Sequence, residues 1–221
     1  MDTHLQRPGS HFSDHAANIE DTLHKYRRKI SGEEINAMPS QQYEGEIVLV
    51  NNSDILEKAV QALERESLLG FDTETRPVFR RGKTHLPSVL QLAGAEAVYV
   101  FQLSEAPLNA RLASVLSNAC IVKAGVAVHD DIRGLRKLYE FKPAAVLDLS
   151  DVARHNQLET RGLRNMAANF FGVRIPKGAR CSNWSANVLC RKQLLYAATD
   201  AWIGREIYLC MKSKGFDFPS V

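Results

Sequence analysis

The sequence predicts an α/β fold in which helices flank a mixed sheet. Apolar runs of strand length come first along the chain, and segments with a helical apolar period alternate with the later runs. Hydrophobic residues make up 45% and charged residues 24% of the 221 positions, close to the average for soluble globular domains. This composition excludes a mainly disordered chain, and no apolar run approaches the roughly 18 residues that a membrane span needs.

The first 44 residues differ from the rest of the sequence. They carry five basic and seven acidic side chains among isolated apolar residues, whereas the remainder carries 23 basic and 18 acidic side chains. They also lack the basic start and apolar core of a secretory signal, so we expect a cytoplasmic protein, or a nuclear one in a eukaryote. We predict a polar N-terminal tail or arm at 1–44 that is dispensable for chemistry, and a single domain at 45–215.

The region after the predicted tail reads mainly as strands. Its apolar runs have strand length, which predicts strands at 47–50, 68–74, 88–93 and 97–101. The short turn at 94–96 makes the last two antiparallel neighbours. Between the first two strands, Ser53 or Asp54 is expected to cap a helix whose apolar residues from Ile55 to Leu63 share one face.

Strands and helices alternate in the second half of the chain. Apolar runs predict further strands at 121–128 and 144–148. Apolar residues at helical spacing predict helices at 108–116, 130–138, about 149–156, about 161–171 and about 191–212. Because helices connect the later strands, the sheet should combine parallel with antiparallel pairs.

Several common chemistries lack their sequence motifs. Neither of the glycine-rich phosphate loops GxGxxG and GxxxxGK[ST] occurs, and the serine-hydrolase motif GxSxG is also missing. Nucleotide hydrolysis, dinucleotide redox chemistry and serine hydrolysis therefore lose their usual support. The four cysteines form no CxxC pair, which favours buried free thiols over zinc ligands: Cys120, Cys181, Cys190 and Cys210.

Acidic side chains at the end of one predicted strand suggest a metal site. Asp72 and Glu74 are two residues apart, so both side chains point to the same face of the sheet. Two like charges on one face repel unless a cation lies between them, and hard divalent cations prefer carboxylate oxygens. A solvent-facing strand end with two ordinary acids would explain the pair equally well.

Two further polar groups interrupt apolar segments. Asp131 is expected in the first turn of a helix that follows a buried strand, where the helix dipole alone would also favour an acid. Tyr196 and Asp200 are four residues apart on an apolar helix, so the phenol and the carboxylate share one face. A carboxylate in such a helix is costly to bury without a partner.

In this order, the motifs resemble the DEDD superfamily of 3′–5′ exonucleases. The tyrosine places the resemblance in the subgroup of ribonuclease D and the Werner-syndrome exonuclease domain. It rests on DTETRPVFRRG, KAGVAVHDD, LDLSDVA, RCSNWS and QLLYAATDA, and it covers about residues 45–212. Thr75 stands where the Werner type has tryptophan, and His129 and Asp130 replace an acid followed by glycine. The spacing from Gly125 favours Asp131 over Asp130 as the third acid of the pattern.

The resemblance implies a ribonuclease H-like fold and an exonuclease that releases nucleoside 5′-monophosphates from the 3′ end of DNA or RNA. The ligands of two Mg²⁺ or Mn²⁺ ions would be Asp72, Glu74, Asp131 and Asp200. Tyr196 would orient the attacking water. The nucleic-acid contacts would come from Thr73, Arg76, Arg80, Arg81, Lys83, Arg180 and Trp184. The expected substrates have single-stranded or recessed 3′ ends.

Alternatives stay open at the level of the sequence. A ribonuclease D-like enzyme that trims RNA would use the same four acids, and a non-catalytic nucleic-acid-binding module would keep the same fold. Clustered carboxylates that repel one another argue against the second alternative. The basic loop residues, which include Arg174 and Lys177, suit phosphate contacts but are equally compatible with solvated loops. Trp184 either braces the site or stacks on a base.

Overall fold

Six strands form one mixed sheet in the order β1-β4-β3-β2-β5-β6. The computed structural model describes residues 23–78 and 85–219. The strands are β1 (Glu46–Val50), β2 (Leu68–Thr75), β3 (Pro87–Ala93), β4 (Ala97–Gln102), β5 (Val122–Gly125) and β6 (Val146–Asp148). The β2, β3 and β4 strands are antiparallel neighbours, whereas β1 pairs with β4, and β5 with both β2 and β6, in parallel. The predicted mixed sheet is confirmed.

Seven helices are bounded within the described residues. They are α1 (Gly32–Ala37), α2 (Ser53–Leu63), α3 (Ala110–Ser117), α4 (Val128–Leu138), α5 (Leu149–His155), α6 (Leu163–Phe171) and α7 (Arg191–Ser213). The predicted cap of α2 is wrong by one or two positions. The Asn52 side chain accepts the hydrogen bond from the Ile55 N–H at 2.9 Å, because the helix already begins at Ser53.

The alternation of side chains along β3 divides the core between the two faces of the sheet. Leu90 and Leu92 pack with α2, α3 and α4 on one face. Val89 and Ala93 pack against α7 on the other face. The α5 and α6 helices add a further buried cluster beside α7. The C-terminal ends of the parallel strands β2 and β5 lie at the same edge of the sheet.

The described part of the predicted tail is docked on the domain. Residues 23–26 are helical, and the Tyr26 ring stacks on Phe170 with centroids 4.9 Å apart. Tyr26 and Ile30 are buried, and the Asn169 side chain donates a 2.7 Å hydrogen bond to the Tyr26 carbonyl. Residues 23–43 are therefore more closely attached than their polar composition indicates. The domain boundary at residue 45 stays a prediction.

The cysteine prediction is correct in one part and wrong in the other. All four thiols are free, but only Cys210 is partly buried, and the other three are exposed. Cys120 and Cys181 lie in surface loops, and Cys190 is the residue before α7, so no second layer of structure covers them. Within the described ranges, no helix has both the length and the apolar character that crossing a membrane requires.

Candidate active site

Three carboxylates converge where the C-terminal end of β2 meets the middle of α7. Asp72 and Glu74 lie on the same face of β2, and Asp200 approaches them from α7. One oxygen atom from each carboxylate lies within 4.8 Å of the corresponding atoms of the other two. The structure therefore brings together three of the four acids that the sequence singles out.

The close approach of α7 to β2 depends on a glycine. A Cβ atom added to Gly70 would lie 2.0 Å from the carbonyl oxygen of Ala201, so any other residue would push the helix away. Alanines on the same face of α7 add little bulk between helix and sheet. The Asp200 carboxylate can reach Asp72 for this reason.

Burial raises the pKa values of all three carboxyl groups, and repulsion from neighbouring carboxylates adds to the rise for Asp72 and Glu74. Burial raises the pKa of Glu74 to about 8, and the charge on Asp200 adds to the rise while Arg180 opposes it. Burial also raises the pKa of Asp200 to about 6, against the opposing effect of the Tyr196 phenol. The pKa of Asp72 lies well above its usual range because of burial and the neighbouring charges of Asp200 and Glu74. The ionised forms of these groups need a compensating cation.

This donor set fits a divalent metal ion. Carboxylate oxygens are the ligands that hard divalent cations prefer. Asp200 is 8% exposed, and its Oδ1 atom has no hydrogen-bond partner within the described part of the chain. A buried charged oxygen without a partner is costly unless a cation contacts it. Asp72, Glu74 and Asp200 therefore form a site that suits such an ion.

Asp131 lies beside the three carboxylates but outside their immediate group. It occupies the first turn of α4, where the Thr73 hydroxyl donates a 2.5 Å hydrogen bond to its Oδ1 atom. Burial raises the pKa of Asp131 to about 6, although the bond from Thr73 opposes the rise. The neighbouring Asp130 side chain is 81% exposed and pairs with Arg133. This geometry favours Asp131 over Asp130 as the third acid. The choice stays a prediction.

The start of α4 is held by a residue to which the sequence assigned no role. Asp148, at the end of β6, accepts hydrogen bonds from the backbone N–H groups of Ala127 at 3.0 Å and Val128 at 3.2 Å. It also accepts from the backbone N–H of Ser150 at the start of α5. Ala127 has a left-handed backbone with φ of 61°, so the turn before α4 needs this support. Only the position of an acid at the end of a predicted strand hinted at the role.

Tyr196 lines the same site one turn of α7 before Asp200. Burial, followed by the negative charges of Asp200 and Glu74, raises the pKa of the phenol, so Tyr196 keeps its proton at neutral pH. Trp184 is 1% exposed and lies against it, with ring centroids 6.0 Å apart. The predicted contact between Trp184 and a nucleic acid is wrong, because the buried indole braces Tyr196 and leaves no face for a base.

A cleft of about 500 Å³ opens over the carboxylates. Its walls carry three basic side chains, namely Arg164, Lys177 and Arg180. Of the predicted nucleic-acid contacts, Thr73 and Arg180 line the cleft, whereas Arg76 is exposed beyond the end of β2 and does not line it. Arg80, Arg81 and Lys83 lie outside the described residues.

Sequence reasoning missed two residues of this cleft. Arg164 and Asn165 reach it from the first turn of α6, which begins after the Gly162 cap. The Arg164 guanidinium donates a hydrogen bond to the Ile175 carbonyl and lowers the pKa of Asp200. The sequence signal was weak, because the helix start was predicted without any indication of what it faces.

The similarity of the chain to known protein families shows which family carries this site. The family model described as 3′–5′ exonuclease matches residues 47–215, which contain α7, all four acids and the whole sheet apart from Glu46. The chain belongs to the 3′–5′ exonuclease family. Membership confirms the resemblance noted in the sequence and the prediction of a ribonuclease H-like fold. Members of this family act with divalent metal ions, which agrees with the donor set described above.

Individual relatives support the assignment to this exonuclease family. The mouse bifunctional 3′–5′ exonuclease/ATP-dependent helicase WRN is 35% identical over 147 residues, which cover 64% of this chain and 10% of that protein. Ribonuclease D of Gluconacetobacter diazotrophicus is 32% identical over 165 residues, covering 73% of this chain and 41% of the relative. The chain thus spans less than half the length of either of these curated relatives.

A solved exonuclease domain has the same fold. The crystal structure of the Aedes aegypti Nibbler EXO domain superposes with a TM-score of 0.72 at 26% sequence identity. The superposition covers 79% of this chain and 92% of the Nibbler domain.

Proposed function

We propose that this chain is a metal-dependent 3′–5′ exonuclease that hydrolyses DNA or RNA and releases nucleoside 5′-monophosphates. The observation that carries the proposal is the group formed by Asp72, Glu74 and Asp200, whose oxygens converge in a cleft with basic walls. Buried carboxylates with raised pKa values would destabilise a surface that only binds nucleic acid. They are useful where a cation must be held against a phosphodiester.

The proposed division of roles follows the resemblance to this exonuclease family. Asp72 would be the ligand shared by two ions, Glu74 and Asp200 would complete the first ion site, and Asp131 would anchor the second. When bound, Mg²⁺ or Mn²⁺ supplies an activated water and stabilises the leaving 3′-oxygen. The Thr73 hydroxyl fixes the Asp131 carboxylate through its hydrogen bond.

Tyr196 acts on the attacking water through its proton. Because its pKa is raised, the hydroxyl stays protonated over the working pH range and donates a hydrogen bond. Trp184 packs against the ring and limits its movement. Arg164 and Arg180 neutralise the phosphate as it enters the cleft, and contacts of this kind do not depend on the base sequence.

RNA is the second candidate substrate beside DNA. The observation that favours it is the 32% identity to a protein named ribonuclease D, against 35% to one named exonuclease/helicase WRN. A protein separates the two polymers by contacts to the 2′-hydroxyl of the terminal sugar. We expect both polymers to be shortened, and the preference between them to be set at that sugar.

The proposal is tested by comparing three labelled substrates: single-stranded DNA, duplex DNA with a recessed 3′ end, and single-stranded RNA. Each is incubated with Mg²⁺, with Mn²⁺ and with excess EDTA. We expect shortening from the 3′ end in the presence of either metal ion and none in EDTA. Binding without degradation in every metal-containing reaction would instead identify a non-catalytic nucleic-acid-binding module.

A further inference from the structure

A second cavity of about 350 Å³ lies beside the candidate catalytic cleft. Arg164, Asn165 and Lys177 line both spaces, so a strand that leaves the cleft along these side chains enters the second cavity. Ile35 and Asn36 of α1 also line the second cavity, and they belong to the docked N-terminal segment at residues 23–43. The second cavity is therefore built partly from residues that precede the matched exonuclease region at 47–215.

The second cavity is strongly basic. Arg164, Arg174 and Lys177 line it, and none of the described residues on its walls is acidic. The Nε atom of Arg174 is buried and has no hydrogen-bond partner within the described residues. Three cations on walls that carry no described acidic residue, one of them with an unused buried donor, suit a phosphate group.

The N-terminal segment also fixes the backbone that carries Arg174. The Arg174 N–H donates a 2.8 Å hydrogen bond to the Pro39 carbonyl, and its own carbonyl accepts a 3.0 Å bond from the Gln41 N–H. This parallel bridge is centred on Ser40. The side chain of Arg174 takes no part in these backbone hydrogen bonds. A substitution can therefore remove its charge and leave the bonds in place.

We propose that the second cavity binds a phosphodiester of the substrate strand on the 5′ side of the scissile bond, which makes the N-terminal segment part of the substrate site. This inference rests on the exonuclease function proposed above. A dinucleotide has only the scissile phosphodiester and cannot fill the second cavity, whereas a longer single strand fills both. The enzyme should therefore prefer longer strands, and the preference should depend on Arg174.

The experiment compares kcat/KM on a dinucleotide without terminal phosphates and on a single-stranded octanucleotide, using the full chain and the polymer it degrades faster. In Arg174→Ala, the ratio of octanucleotide to dinucleotide values should fall about tenfold, the size of one charge-assisted hydrogen bond. Arg174→Lys should restore most of it. Asn36→Asp, which adds a negative charge to the wall formed by α1, should lower the ratio in the same direction.

Salt dependence separates a phosphate contact from a structural effect. For the octanucleotide, the slope of log kcat/KM against log salt concentration should become shallower by about 0.7 in Arg174→Ala, as expected when one phosphate contact on a single strand is lost. Lys58→Ala, on the exposed face of α2 and outside both cavities, is the matched control and should keep both the ratio and the slope.

Two results would overturn the inference. An equal loss on both substrates in Arg174→Ala, with an unchanged salt slope, would mean that Arg174 only supports the fold. An unaltered ratio would mean that no phosphate binds there. If the unsubstituted protein hydrolyses neither substrate with either metal ion, the proposed function itself fails, and this inference fails with it.

Discussion

Asp200 is the residue at which folding and function conflict most directly. Its carboxylate is buried, has one oxygen without a hydrogen-bond partner, and titrates with a pKa raised to about 6. Each pKa unit corresponds to about 1.4 kcal/mol of unfavourable interaction in the ionised form. The metal-free protein carries this cost at neutral pH, and a bound cation would remove it.

Asp200→Asn should therefore abolish detectable hydrolysis and stabilise the metal-free fold. We expect the free energy of unfolding at pH 8 in EDTA to rise by about 1–3 kcal/mol, since the amide has no charge to bury. Tyr196→Phe should be milder, with a loss of roughly a hundredfold in kcat, typical of a positioning group. Urea unfolding and single-turnover kinetics measure the two effects. An Asp200→Asn protein that retains wild-type turnover would remove this residue from the metal site.

The contrast between Asp130 and Asp131 tests which residue is the third acid. Asp131→Asn should be nearly as damaging as Asp200→Asn, because it weakens the site of the second ion. Asp130→Asn should change kcat by less than about twofold, since its side chain is exposed and pairs with Arg133 at the surface. Kinetics on variants checked by circular dichroism decide the matter. The reverse pattern would place the third carboxylate one residue earlier.

The residues that sequence reasoning found and those it missed differ in the distance over which they act. Spacing within a single strand or helix is enough to identify two pairs, Asp72 with Glu74 and Tyr196 with Asp200. Arg164 acts on a carboxylate from another helix, and such a contact leaves no local pattern. Trp184 was ambiguous for the same reason, because only the packing around it shows that no face is free.

At the scale of secondary-structure elements, Asp148 joins one strand to two helices. Its carboxylate holds the N-terminal turn of α4, which carries Asp131, and caps α5 at the same time. Parallel pairing of β6 with β5 places Asp148 opposite Gly125, directly before the α4 turn. The position of Asp131 thus depends on a residue seventeen positions later in the sequence.

Asp148→Ala should destabilise the protein by about 3 kcal/mol, because it removes one helix cap and leaves two further backbone N–H groups without a partner. We also expect kcat to fall by at least tenfold, since α4 would no longer hold Asp131 in place. Chemical denaturation and steady-state kinetics measure these effects. Asp54→Asn, which alters an exposed acid in the first turn of α2, is the control. A stability change below about 0.5 kcal/mol in Asp148→Ala would contradict the proposed support.

Element positions were predictable because each apolar run or helical period is a local signal. From β1 onward, the strands and helices occur where expected, with ends that shift by a few residues, whereas α1 lies in the segment predicted as a tail. The N-cap of α2 was misplaced because Asn52, Ser53 and Asp54 are all good caps, and only the hydrogen bond to Ile55 distinguishes them. The strand predicted at 121–128 ends at Gly125, where the backbone turns sharply into α4.

At the scale of the whole molecule, the clustered acids link stability to pH and to metal ions. The pKa values of Asp131 and Asp200 rise to about 6 and that of Glu74 to about 8. A carboxyl group whose pKa is raised in the folded state makes its full contribution to stability below its pKa in the unfolded state, about 4. This contribution is lost as the pH rises through the pKa of the folded state. The loss should therefore extend from about pH 4 to about pH 8.

Metal binding should reverse this loss, since Mg²⁺ and Mn²⁺ bind the ionised carboxylates. We expect the increase in Tm on adding either ion to be larger at pH 8 than at pH 5. Thermal unfolding in EDTA and in each metal ion, across this pH range, measures the effect. In Asp200→Asn the dependence on pH and metal should shrink. An increase in Tm that is the same at every pH would show that the ion binds elsewhere.

The mixed sheet could be predicted because a short turn makes two strands antiparallel neighbours and helices connect the later strands, whereas the strand order could not. The docking of residues 23–43 could not, because Tyr26 and Ile30 are isolated in a polar segment and have no apolar period. Their partners, such as Phe170, lie more than a hundred residues away in the sequence. The role proposed for this segment in substrate binding likewise depends on a contact that only the fold creates.

Analysis of the reaction products is the most direct test of whether this chain is a metal-dependent 3′–5′ exonuclease. A single-stranded oligonucleotide labelled at its 5′ end is incubated with Mn²⁺ or Mg²⁺ in ¹⁸O-labelled water, and the products are identified by mass spectrometry. We expect a ladder shortened from the 3′ end and nucleoside 5′-monophosphates that carry one ¹⁸O atom in the phosphate, with no products from Asp200→Asn. Internal fragments, nucleoside 3′-monophosphates, or undiminished degradation in excess EDTA would contradict it.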